Sequence, residues 1–173
     1  MMKNKFTLSC CFLLFSLICS GERVSLWPEG NIPNFQPQQI AATTKEVKKE
    51  DFKREEHSMP YIEWFDAPTE KNGACMLLIS GGGYQNCCDW WWIEQVAKKF
   101  TNLGYVCVSL TYRTPRPQGL PIYQSGWQDG QRAVRLVRQS AKKRGFDPEK
   151  IGILGFSAGG HLTVLLGTSA LTP

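Results

Sequence analysis

Histidine is the scarcest residue type in this 173-residue chain: only His57 and His161 are present. Any chemistry that needs an imidazole must draw on those two or on something beyond them. Cysteine offers no metal site in its place. Cys87 and Cys88 are adjacent and have no second ligand pair at zinc spacing, so neither a metal nor a cofactor is expected. No glycine-rich stretch runs into Lys-Ser or Lys-Thr, which removes a phosphate-binding loop. The dinucleotide spacing G-x-G-x-x-G fails after Gly83. Charge of one sign is also thin. The formal net charge is +5, no basic face is interleaved with aromatics, and nucleic acid is therefore not an expected partner. Long apolar runs are missing too; the stretch from Leu8 to Ile18 is too short to span a bilayer well.

What is present fits one globular domain. Apolar residues make up 42% of the chain and charged residues 20%, values that indicate neither disorder nor a membrane bundle. Residues 1–20 read as a signal peptide: Lys3 and Lys5 form a basic start, the apolar stretch follows, and Cys19-Ser20-Gly21 supplies small residues for cleavage. Removing it takes away two lysines and leaves a net charge of +3. The protein is then expected to be exported, periplasmic or extracellular, with no stable membrane span. Cys75, Cys87, Cys88 and Cys107 remain, an even number that permits disulfides without requiring them. Cys75 and Cys107 fall inside apolar runs, where a free cysteine acts as a small hydrophobe.

Residues 21–56 read as an extended arm followed by a charged linker. Glu22 to Ala42 is rich in Pro, Asn and Gln and holds no period of 2 or 3.6, while Thr43 to Glu56 carries dense mixed charge and reads as a solvated surface. Beyond it the pattern changes. Tyr61–Phe65 is strand-like, and Cys75–Ile79 is a continuous apolar run of the kind found in strands covered on both faces. Asp89 is placed to cap a helix from Trp90 to Leu103, with Trp92, Ile93, Val96, Ala97 and Phe100 at helical spacing. The Trp90-Trp91-Trp92 cluster thus reads as helix core rather than as a sugar platform. Tyr105–Leu110 is another buried strand, continuing to Tyr112-Arg113. A helix from about Gly126 to Arg144 buries Trp127, Ala133 or Val134, Val137 and Ala141. Strands alternating with helices imply a mostly parallel sheet wrapped by helices, a three-layer α/β/α sandwich. In such sheets the chemistry lies at the carboxyl ends of the strands.

Two glycine-bearing turns fall at such ends. Gly155-Phe156-Ser157-Ala158-Gly159 lies between the short strand Ile151–Leu154 and an apolar helix, the context of a nucleophile elbow. A sharp turn lifts the Ser157 hydroxyl clear of the backbone, and the flanking glycines let strand and helix pass closely. Ala158 at the helix N-terminus would offer its N–H to an oxyanion. The other turn, Ser80-Gly81-Gly82-Gly83-Tyr84, reads as an oxyanion loop, with Gly82 and Gly83 as the expected donors and Gly81 one register away.

Together with Tyr112-Arg113, Trp127–Ala133 and Gly160-His161-Leu162, these turns resemble the α/β-hydrolases. The similarity is greatest to the bacterial esterase/lipase branch that includes acetylxylan- and feruloyl-esterase-like (BD-FAE-like) proteins, and it covers about Tyr61 to Leu171. The resemblance implies that residues 57–173 are the N-terminal part of an α/β-hydrolase domain, incomplete at its C-terminus. It also implies that Ser157 is the nucleophile, with a small-molecule or polysaccharide ester, short acyl or acetyl, as substrate. In that family the triad acid and then the histidine follow the elbow helix. Here the chain ends directly after that helix, so acid and base are expected to be missing. The alternative is then a catalytically incomplete fragment or a non-catalytic binding protein. His161, one helical turn past Ser157, is expected to pack or hydrogen-bond rather than act as base. Asp129 reads as a helix-surface or pocket residue, and Asp147 as a turn residue.

Overall fold

A computed structural model describes residues 21–27, 31–48, 53, 59–68, 70–88 and 92–168. The leader, His57, the Asp89 cap and the Trp90-Trp91 pair lie outside the described residues.

Five strands form one sheet: β1 (Arg23–Ser25), β2 (Tyr61–Phe65), β3 (Cys75–Ile79), β4 (Val106–Thr111) and β5 (Ile151–Gly155), in the order β1-β2-β4-β3-β5. The pairings β3–β4 and β3–β5 are parallel, as the doubly buried runs imply. β1 and β2 join antiparallel at the other side, so the described sheet is mixed. The helices are α1 (Thr44–Val47), α2 (Trp92–Thr101), α3 (Gln124–Arg144) and α4 (Ala158–Thr168).

Alternation along the strands sorts side chains into two layers. Cys75, Leu77 and Ile79 of β3 pack with Val106, Val108 and Leu110 of β4 against Ala133, Val137 and Ala141 of α3 and Leu162 and Leu166 of α4. On the opposite face, Leu78 and Cys107 meet Ile93 and Ala97 of α2. Each such aliphatic side chain taken fully out of water contributes about 1.5–3 kcal/mol, and this double coverage fixes the three layers. The stripe expected on α3 is buried at Ala133, Val134, Val137 and Ala141, while Trp127 is half-buried. The helix stops at Gly145, whose φ of 76° is left-handed and whose N–H donates to the Ala141 carbonyl at 2.8 Å, the usual glycine termination.

The arm is more structured than its sequence suggests. Arg23–Ser25 adds a strand to β2, and Leu26, Gln39, Ala41 and Ala42 are buried. In the charged stretch, Thr43 and Glu46 close a capping box around α1. Glu46 is buried instead of solvated and accepts from Arg23 at 2.6 Å. Burial would raise its carboxyl pKa, yet hydrogen bonds from Thr43 and Arg23 outweigh that and bring it down to about 2.

All four described cysteines are free. Burial pushes the thiols of Cys75, Cys87 and Cys107 up to about 12. These three are therefore packing residues and not thiolate nucleophiles at neutral pH.

Candidate active site

β3 and β5 are paired in register with Ile79 beside Gly155, so the segments leaving both strands emerge side by side. Phe156 N–H donates to the Ile79 carbonyl at 3.1 Å, continuing the ladder one step past the strands. Ser157 then turns the chain with φ 53°. A left-handed non-glycine residue costs on the order of 1–3 kcal/mol and persists only where its surroundings enforce it. Ser157 is exposed. α4 starts at the next residue, with Gly159 N–H donating to Phe156 O at 2.9 Å and His161 N–H to Ser157 O at 3.0 Å. Ala158 is the first residue of α4, where N–H groups have no partner within the helix.

Crowding accounts for the glycine spacing. A β-carbon on Gly159 would lie 2.3 Å from the Ile79 carbonyl oxygen, and one on Gly155 would lie 2.1 Å from the Gly159 carbonyl oxygen. Strand and helix cross here backbone to backbone.

The glycine loop lies against this turn. A β-carbon on Gly81 would sit 3.1 Å from Ser157 Cβ and 2.8 Å from the Phe156 carbonyl oxygen. Gly82, Gly83 and Tyr84 follow with φ values of 129°, 60° and 61°, and the Gly82 carbonyl accepts from Gln85 N–H at 2.9 Å. Ser80, at the root of the loop, is buried, and its carbonyl accepts from the Tyr112 hydroxyl at 3.2 Å. The structure thus brings Ser157, Ala158 and the loop carrying Gly82 and Gly83 to one end of the sheet.

The remaining candidates have other partners. The Asp129 side chain is fully buried, which corrects the expectation of a surface or pocket residue. Its oxygens accept from Arg113 Nε and Nη2 at 2.9–3.1 Å, from Arg113 N–H at 2.9 Å and from Trp27 Nε1 at 2.9 Å. Arg113 also donates to the Pro33 carbonyl at 2.8 Å. The Tyr112-Arg113 and Trp127–Ala133 motifs therefore meet in a structural ion pair. Asp147 Oδ1 accepts from Glu149 N–H at 2.9 Å within a turn, as expected. His161 is exposed, and its Nδ1 is 2.8 Å from the Tyr84 hydroxyl. One cavity opens beside Arg23, Glu46, Glu63 and Thr111, and another beside Trp64, Pro68, Lys98 and Arg144; neither is lined by Ser157. The sequence carried no signal for the tie between Tyr84 and α4 or for the Arg113–Asp129 pair, because their partners are 77 and 16 residues apart.

The BD-FAE family model matches residues 64–172. The chain belongs to the BD-FAE family. Its fold is that of the α/β-hydrolases. The chain is 41% identical over 69 residues to endo-1,4-beta-xylanase B of Butyrivibrio fibrisolvens, a match covering 40% of this chain and 11% of that protein. It is 48% identical over 40 residues to the acetylxylan esterase of Xylanibacter ruminicola, covering 23% of this chain and 8% of that one. Among solved structures, an acetyl ester-xyloside bifunctional hydrolase from Caldicellulosiruptor lactoaceticus superposes with a TM-score of 0.64 at 31% identity, covering 88% of this chain and 48% of that chain. This BD-FAE chain thus spans about half the length of that hydrolase and a small share of the curated relatives.

Proposed function

We propose that this BD-FAE chain carries the nucleophile and oxyanion half of an exported serine esterase acting on short acyl or acetyl esters, including those on polysaccharide. The observation that carries the reading is the exposed left-handed Ser157 at the end of β5, pressed against the glycine loop that leaves β3. In this reading Ser157 Oγ adds to the ester carbonyl carbon while a general base takes the hydroxyl proton. The carbonyl oxygen becomes an oxyanion facing the N–H of Ala158 and those of Gly82 and Gly83. The alcohol leaves with the transferred proton, and water then hydrolyses the acyl-enzyme. Asp129 is held by Arg113 and Trp27, and His161 Nδ1 by Tyr84, so neither is assigned as the acid or the base.

The polysaccharide assignment is supported by the acetylxylan esterase and xylanase relatives. Export is supported by the pattern of residues 1–20; protein recovered outside the cytoplasm is expected to begin near Gly21 on N-terminal sequencing. The chemistry is tested with p-nitrophenyl acetate. Turnover that disappears in Ser157→Ala supports the reading. Equal background rates in both proteins would instead favour a non-catalytic protein.

A further inference from the structure

Tyr84 closes the glycine loop with a large side chain that ties it down. It is 5% exposed, takes a left-handed φ of 61° and packs edge-on against Tyr112 and His161. Its hydroxyl lies 3.1 Å from the Ala158 carbonyl oxygen and 2.8 Å from His161 Nδ1. The residue that strains the loop backbone is thus also the one that ties the loop to the first turn of α4.

Counting protons orders these contacts. A phenol carries one hydrogen and a carbonyl can only accept. Both bonds exist together when Tyr84 donates to Ala158 and His161 donates to Tyr84, which requires the hydrogen of the imidazole to sit on Nδ1. Burial pushes the Tyr84 hydroxyl up to about 12, so it keeps its proton through the neutral range. Tyr123, at the foot of α3, also stands edge-on to His161, with ring centroids 5.6 Å apart.

We propose that Tyr84 and His161 form a proton-ordered clamp, with a hydrogen on His161 Nδ1, that positions the glycine loop against the elbow helix. Tyr84 and His161 are positioning residues here: they set the distance between the two groups of N–H donors without touching substrate. The catalytic consequence rests on the esterase reading above; the clamp does not.

The test has two arms. With two histidines in the chain, His57→Gln leaves one imidazole, and a long-range proton–nitrogen NMR spectrum at alkaline pH reports which nitrogen carries its hydrogen. The expected result is protonated Nδ1 in the otherwise unaltered chain and a shift toward protonated Nε2 when Tyr84→Phe is added. Protonated Nε2 from the outset, or no response to Tyr84→Phe, overturns the clamp. The other arm is p-nitrophenyl acetate turnover. Tyr84→Phe and His161→Leu are expected to lower kcat roughly ten- to a hundred-fold with KM little changed, the scale of a small misplacement. His161→Asn, whose side-chain amide can donate from where Nδ1 stood, is expected to restore most of it. Unchanged kcat in Tyr84→Phe overturns the positioning role. If the unaltered chain shows no Ser157-dependent turnover, the esterase reading fails while the NMR arm still decides the clamp. His161 is exposed, so its variants are expected to fold even where Tyr84→Phe does not.

Discussion

Gly159 shows how one hydrogen atom in place of a side chain makes the site possible. A β-carbon there would stand 2.3 Å and 2.6 Å from two successive carbonyl oxygens, those of Ile79 and Ser80. Both are backbone atoms of a buried strand end and cannot swing aside. Gly159→Ala is therefore expected to behave as an overpacked core substitution and to cost about 1–3 kcal/mol, read from urea unfolding. A variant within about 0.5 kcal/mol of the parent would mean that strand and helix have room to part. This feature was legible in the sequence because elbow chemistry is local: five consecutive residues fix the turn, the exposed hydroxyl and the small flanks. The Tyr84–His161 contact is the opposite case. Nothing within a few residues of either side chain announces the other, and only the pairing of β3 with β5 brings their loops together.

Between elements, the buried Arg113–Asp129 pair joins the end of β4 to α3 and, through Trp27 and Pro33, to the arm. Two charges at zero exposure are tolerable because nearly every lone pair and N–H has a partner. Asp129→Ala would leave a buried guanidinium uncompensated, with an expected loss of about 3–5 kcal/mol. Replacing both residues, Arg113→Met with Asp129→Leu, is expected to recover most of it; the remainder would reflect Trp27 Nε1, the backbone N–H of residue 113 and the Pro33 carbonyl, which lose these partners. Urea unfolding of the single and double variants checks this, and a double variant no more stable than Asp129→Ala would show that the charges themselves are required. The same contrast explains which elements could be read in advance. β3 and β4 announce themselves by continuous apolar runs, because burial on both faces imposes that composition. β1 has three residues, Arg23-Val24-Ser25, and exists because β2 offers it an edge. Its cause is tertiary, so the arm carried no period to detect.

At the scale of the molecule, protection from water falls off across the sheet. β3 and β4 are central and buried, whereas every residue of β5 is half-buried, and among the described residues no strand pairs with its outer side. A strand paired on one side turns alternate N–H groups toward its neighbour and the others away. Hydrogen exchange is therefore expected to be slowest in β3 and β4 and to alternate along Ile151–Gly155, with the outward amides exchanging almost as fast as those of a loop. Phe156 N–H, bonded to Ile79 O, should belong to the slow set. Open edges of this kind also template pairing between chains, so the experiment is run over a range of protein concentrations. Alternation that persists at every dilution means a free edge; uniform protection that disappears on dilution means a second copy seated on β5. Protection that is uniform and independent of concentration would contradict the exposed edge altogether. The elbow would then sit inside a covered sheet, and the strain at Ser157 would have to be explained by whatever covers it.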